Sequence, residues 1–266
     1  MNVSAATSLA VVTGGSSGIG LELARQLVEN GYSVLIAAEN EMHLSQARAD
    51  LAGTGAAIET HASDLATEAG VDSLYQAIGG RPVEVLCVNA GVGLGGPFAE
   101  TDLQRELKMI DLNVRGAVQL TKLVLRDMVA RNAGKILFTS SIAATQPDAF
   151  EAVYGASKVF LRWFGEALRN ELKDTGIDVT VLMPSVTDTN FFQRADMMDT
   201  KAGTMENKDD PAVVAREAVE ALMGDRHKVI PTLKNKIMGA VADLTPAPVA
   251  AQLHRGLAEP GSGKED

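Results

Sequence analysis

The 266-residue chain is poor in cysteine, in aromatic residues and in positive charge. Its one cysteine, Cys87, lies in the apolar run VEVLCV. That excludes an internal disulfide and reads as a buried thiol in a reducing compartment. Lys and Arg number 24 against 34 Asp and Glu, a formal charge of −10, so a nucleic-acid backbone or an anionic membrane surface would be repelled on average. No stretch approaches 18 consecutive apolar residues, and the opening MNVSAATSLAVVTGG has neither a basic segment nor a long apolar one. No membrane insertion or secretion signal is expected, and the chain reads as cytoplasmic. The four histidines, His43, His61, His227 and His254, are scattered, with no HExxH and no cysteine partner; they read as surface or loop residues, and no metal site is expected. What the chain does have is apolar material, 46% of residues, with 22% charged, enough for a globular core.

Short β-branched runs alternate with longer segments of helical period. The runs at 8–13, 33–38, 57–62, 83–89, 135–140, 178–183 and 228–231 read as strands; the segments at 20–30 (stopped by Gly31), 44–51, 71–78, about 102–130 and 153–173 read as helices. The alternation predicts βαβ units, and right-handed crossovers put helices on both faces of the sheet. The expected fold class is α/β: a three-layer, doubly wound Rossmann fold of about seven parallel strands. One domain over 1–258 is expected, with a substrate loop or lid region at about 190–250. The polar, Gly-rich end at 259–266 reads as a disordered tail. An amphipathic helix is expected over 233–243, as a lid, an interface or, least in keeping with the net charge, a membrane-surface contact.

The first strand runs into TGGSSGIG, residues 13–20, and then into a helix. A strand, a glycine turn and a helix N-terminus form a phosphate cradle, because unpaired amides and the positive end of the helix dipole face one point. Gly14, Ser16, Ser17, Gly18, Ile19 and Gly20 are therefore candidate dinucleotide contacts. The TGxxxGxG spacing resembles the short-chain dehydrogenase/reductase family in its compact, single-domain branch. Glu39 follows the second strand, 19 residues after Gly20. A carboxylate there can bond the adenosine ribose hydroxyls and repels the extra phosphate of NADP. With Asn40 beside it and no base nearby, Glu39 predicts NAD in preference to NADP.

Tyr154 and Lys158, in VYGASKVF, are four residues apart on a predicted helix and so share one face. Free tyrosine titrates near 10, too high for a base at neutral pH, unless a neighbouring cation stabilises the phenolate. Lys158 can be that cation, and the small residues at 155–157 read as clearance for the cofactor. Ser141 lies 13 residues before Tyr154, the spacing of the catalytic serine in the family that the chain resembles, and Asn113 in LNVRG matches its NxxG asparagine.

The resemblance covers about residues 8–190. It implies a nicotinamide-dependent oxidoreductase moving a hydride between cofactor and a carbonyl or secondary alcohol of a small, apolar substrate. In it Tyr154 is the proton donor or acceptor, Ser141 orients the substrate oxygen, Lys158 bonds the nicotinamide ribose, and Asn113 reaches solvent through a water. It further implies cofactor contacts from Asp64 and Leu65, from Asn89, Ala90 and Gly91, and from Pro184, Val186, Thr187 and Thr189. Ala143 and Phe191 join Ser141 and Tyr154 as candidate substrate contacts. Homodimers or homotetramers are implied as well. The 190–210 loop, with Phe191, Phe192, Met197, Met198 and Met205, reads either as a flexible Met-rich flap or as packing on the body. A cofactor sensor without turnover is the alternative function, against which the intact Asn113, Ser141, Tyr154 and Lys158 set counts.

Overall fold

The computed structural model describes residues 8–53, 55–232 and 245–263. Seven parallel strands, β1 (Leu9–Thr13), β2 (Ser33–Ala38), β3 (Ile58–Ala62), β4 (Val83–Val88), β5 (Gly134–Thr139), β6 (Ile177–Leu182) and β7 (Lys228–Val229), form one sheet in the order β3-β2-β1-β4-β5-β6-β7. Their apolar residues alternate between two cores. Leu9 and Val11 meet the side chains of α3 (Glu68–Ile78), α5 (Ala117–Arg131) and α6 (Ala152–Glu171). Ala10 and Val12 meet those of α1 (Gly18–Glu29), α2 (Glu41–Asp50) and α9 (Pro211–Met223). The inner strands are largely apolar because both faces are covered, as parallel strands require, whereas the edge strand β3 is half-exposed.

The strand order reverses beside β1, which pairs with both β2 and β4. The carboxyl ends of β1 and β4 therefore diverge into a crevice, the place where doubly wound sheets bind ligands.

The helical segment expected over about 102–130 is interrupted in its middle. α4 (Leu103–Ile110) passes into a π-helical turn, Asp111–Gly116, before α5 begins. The wider turn carries Asn113, which is fully buried. Gly116 closes it, because a Cβ there would collide with the Leu65 carbonyl. A π turn inside a helix is a costly irregularity that is frequent at functional sites.

Beyond β6, α7 (Phe191–Arg194) and α8 (Lys201–Thr204) are single turns, and α10 (Ala247–Ala258) follows β7. The expected helix at 233–243 lies outside the described residues. The expected tail is a correction for residues 259–263, which are docked: Gly261 and Gly263 N–H groups donate to Asp199 Oδ2 and O, both at 2.8 Å, and Lys201 N donates to Ser262 Oγ at 3.1 Å. Among the described residues no helix is long and apolar enough to cross a membrane.

Candidate active site

The glycine loop is shaped by close backbone approach. Gly14 and Gly18 have φ of +65° and +56°, a region that L side chains avoid. A Cβ at Gly14 would stand 2.9 Å from Ala90 Cα, and one at Gly20 would collide with the Gly14 carbonyl. The Thr13 hydroxyl donates to the Cys87 carbonyl (3.2 Å) and accepts from the N–H groups of Asn89 (2.9 Å) and Ala90 (3.0 Å), while Asn89 Nδ2 donates to Thr13 O (3.1 Å). The side chain of Asn89 thus ties the ends of β1 and β4 together. No side chain caps α1 at Ser17, so its first-turn amides face the crevice. Ser16 and Ile19 are half-buried in the same loop.

At the adenosine end, the expectation that no base lies near Glu39 is corrected. Lys108 of α4 reaches across, its Nζ 3.2 Å from Glu39 Oε1 and 3.6 Å from Asp64 Oδ2. The hydrogen bond to Glu39 holds the Lys108 ammonium above its ordinary value, with Asp64 adding to it and slight burial opposing it. Asn40 caps α2, its Oδ1 accepting from His43 N at 2.9 Å. Leu65 is buried beside Gly116.

At the other end, Asn113, Lys158 and Gly91 converge. A Cβ at Gly91 would lie 3.1 Å from both Asn113 Oδ1 and Lys158 Nζ. Asn113 Nδ2 donates to Val92 O (2.9 Å) and Ser157 Oγ (3.0 Å), and its Oδ1 accepts from Val92 N (3.0 Å). Lys158 Nζ donates to Thr139 O at 3.0 Å, and Ser140 Oγ, turned away from the crevice, donates to Lys158 O at 2.7 Å. Ser141 Oγ accepts from Ala143 N at 3.1 Å and stands near enough to the Tyr154 hydroxyl to favour its ionised form. The Tyr154 ring lies 5.7 Å from Lys158 Nζ and packs on Phe191, ring centroids 5.1 Å apart.

The expectation that Lys158 pulls Tyr154 down is also corrected. Burial pushes the Tyr154 phenol above its ordinary 10.0, the Glu151 charge adds to this and Asp148 adds less, with only Ser141 opposing. Burial likewise lowers Lys158, to about 8. Both side chains are driven toward their neutral forms, as desolvation requires.

The small residues at 155–157 have other duties than clearance for cofactor. A Cβ at Gly155 would collide with Asp148 Oδ2, and Ser157 bridges Asn113 to the Tyr154 carbonyl, to which its Oγ donates at 2.7 Å.

The segment after β6 covers the crevice. Pro184 O accepts from Ile142 N (2.9 Å), Val186 O accepts from Asp209 N (2.9 Å), and Thr187 Oγ1 donates to Ser185 O (2.9 Å). Thr189 presses on Gly18, and Arg194 Nη2 donates to Ser17 Oγ at 3.2 Å. Phe191 fills the space over Gly93 and Tyr154, while Phe192 and Met197 are buried and Met198 and Met205 point outward. Of the two readings of the 190–210 loop, packing on the body is the one observed.

Sequence reading missed Lys108, Arg194, Asp148, Glu151 and His254. The last was expected on the surface, but it is buried on α10. The PDAFE run between Ser141 and Tyr154 was the only signal for the two acids.

A family model for short chain dehydrogenases matches residues 8–199. The chain belongs to the short-chain dehydrogenase family. It is thereby an oxidoreductase with a Rossmann fold for a nicotinamide nucleotide. A probable NADP-dependent dehydrogenase of Haemophilus influenzae is 37% identical over 182 residues, 68% of this chain and 71% of that protein. An NADP-dependent 3-hydroxy acid dehydrogenase of Salmonella typhi is 33% identical over 205 residues, 75% and 82% of the two chains. Among solved structures, a single-residue variant of actinorhodin polyketide ketoreductase with NADPH is similar at a TM-score of 0.76 and 29% identity, covering 84% of this short-chain dehydrogenase and 95% of that chain.

Proposed function

We propose that this dehydrogenase uses NADP(H) to interconvert a carbonyl and a secondary alcohol on a small substrate, with Tyr154 carrying the proton. The observation that carries the reading is the convergence of Lys158 and Asn113 at Gly91 with the Tyr154 ring 5.7 Å from Lys158 Nζ and Ser141 beside the Tyr154 hydroxyl, at the carboxyl ends of β4 and β5. The residues present fit a dinucleotide: Gly14 and Gly18, at positive φ, and Gly20, packed on the Gly14 carbonyl, make a tight turn at the α1 N-terminus, which no side chain caps. When bound, the nicotinamide supplies or accepts the hydride.

Each side chain then has a task. Ser141 fixes the substrate oxygen against the Tyr154 hydroxyl, and burial keeps that hydroxyl protonated through neutral pH, ready to donate. Lys158 offers its ammonium to the ribose beside Gly91. Asn113 holds Val92 and Ser157, and so keeps the floor of the site in register. The bond from Lys108 to Glu39 moderates the carboxylate that would repel a 2′-phosphate, and Lys108 offers that phosphate a cation. The NADP-dependent relatives support this choice over the NAD expected from Glu39 alone.

The apolar residues left exposed on α4 and α6, Leu107, Ile110, Phe160 and Trp163, suit a subunit interface, which light scattering on the purified protein would detect. The function itself is tested with a panel of ketones, aldehydes and alcohols, each offered with NADPH or NADH (or the oxidised forms), following nicotinamide absorbance. Turnover preferring NADPH is expected. Stabilisation by cofactor without turnover of any substrate would favour the sensor, and faster NADH turnover would refute the cofactor assignment.

A further inference from the structure

The imidazole of His254, on α10, reaches more than 100 residues back in sequence to the loop that precedes α6. Its Nδ1 lies 3.1 Å from the Ala149 carbonyl, and its Nε2 lies 3.3 Å from Asp148 Oδ1 and 3.5 Å from Glu151 Oε2. A carbonyl can only accept, so Nδ1 carries a hydrogen. A neutral ring then presents a bare Nε2 lone pair to two carboxyl groups, and that juxtaposition is stable only if a proton sits among the three.

Burial locates it. The Asp148 side chain is fully buried, and neither of its carboxyl oxygens has a hydrogen-bond partner among the described residues. Burial, with the Glu151 charge adding, raises Asp148 to about 9, raises Glu151 to about 7 and lowers His254. The donor is thus the Asp148 carboxyl and the acceptor is Nε2. Among the described residues no such cluster, this one included, is arranged to hold a metal ion.

The cluster packs on the first turn of α6, one residue from Tyr154. Asp148 Oδ2 lies against Gly155, the next residue on α6, which is why that position carries no Cβ, and Glu151 stands at the N-cap of the same helix. The charged and titratable groups around it are few. Tyr154 is faced by Ser141, Lys158, Glu151 and Asp148, and the cluster's neighbour on α10 is Arg255, which lies over Phe150 and bonds Glu259.

We propose that Asp148, Glu151 and His254 are positioning residues that hold one shared proton beside Tyr154 and set the proton affinity of its hydroxyl, making the C-terminal helix a working part of the active site. The proposal rests on the reading of Tyr154 as the proton carrier. Neutral Asp148 leaves at most one negative charge, on Glu151, near the phenol at working pH. Each further ionisation makes the phenolate harder to form.

The test reads Tyr154 directly. With Tyr32 and Tyr75 replaced by phenylalanine, phenolate absorbance reports this one tyrosine, with no substrate or turnover involved. It is expected to stay silent up to about pH 10 in the parent, and to titrate at least about one pH unit earlier in D148N/E151Q than in the parent, with E151Q intermediate. Coincident titrations in all three would overturn the proposal. If the double variant does not fold, the ¹³C carboxyl resonance of Asp148 in the unmodified protein serves instead. It is expected to titrate near 9, and a carboxylate at pH 7 overturns the proposal. Activity surviving in Tyr154→Phe would remove the catalytic reading alone and leave both titrations standing.

Discussion

The two ends of the crevice are built differently. The phosphate end is backbone: Gly14, Gly18 and Gly20 form a turn of contiguous residues whose geometry follows from the absence of Cβ atoms. The Tyr154 end is side chains drawn from the π turn, the end of β5, α6 and α10, with ionisable groups buried against one another. A backbone cradle needs only a local pattern and works by amides that carry no titratable proton. A side-chain site depends on which distant segments pack beside it, and burial then decides its protonation. The first end should fail by steric change and ignore pH; the second should fail by charge and respond to it.

The largest effect is expected where the chemistry is concentrated. Tyr154→Phe should lower turnover by about 10²- to 10⁴-fold, the share typical of general acid–base catalysis, while NADPH affinity measured by calorimetry is retained. Equal loss of both would blur the distinction between the ends. At the phosphate end, Gly20→Ala should abolish measurable NADPH binding in the same assay. Its Cβ meets the Gly14 carbonyl, which cannot move without unseating the turn, and the loss should be the same at pH 6 and pH 9.

Lys108→Ala tests the adenosine edge, where a charged side chain supplements the backbone. A hydrogen bond to a charged group contributes about 1.5–3 kcal/mol, so NADPH affinity should fall about tenfold or more while NADH affinity changes little. Parallel losses would show that Lys108 does not read the phosphate.

The smallest effect concerns stability. Asp148 keeps its proton to about 9 in the fold against an ordinary 3.8. The folded state therefore binds that proton more tightly than the unfolded one, and the stability it contributes is present at low pH and lost as pH rises toward 9. His254, lowered by burial, works in the opposite sense and costs stability as pH falls below its ordinary value. Between pH 6 and pH 9 the melting temperature of the parent should drop by a few degrees more than that of Asp148→Asn. Parallel curves would place the Asp148 proton elsewhere.

The same contrast explains what could be read in advance. The inner strands were legible because a run such as VEVLCV is almost wholly buried, on both faces. Gly14, Gly18 and Gly20 were legible because neighbours in sequence make the turn. Glu39 was misread because its partner Lys108 is 69 residues away. His254 was misread because a lone histidine on an amphipathic helix carries no mark of what that helix covers. The π turn at Asp111–Gly116 was invisible because its residues have ordinary helical propensity, and the wider turn comes from seating Asn113 on Val92 and Ser157.

The amino-acid sequence by itself determined the α/β alternation, the glycine turn and the pairing of Tyr154 with Lys158, since each rests on contacts or periodicities within a few residues. Only the tertiary structure decided the protonation of Tyr154, the company of Glu39 and the use of the C-terminal helix. Those depend on desolvation and on charges brought together from distant segments, and a local pattern encodes neither.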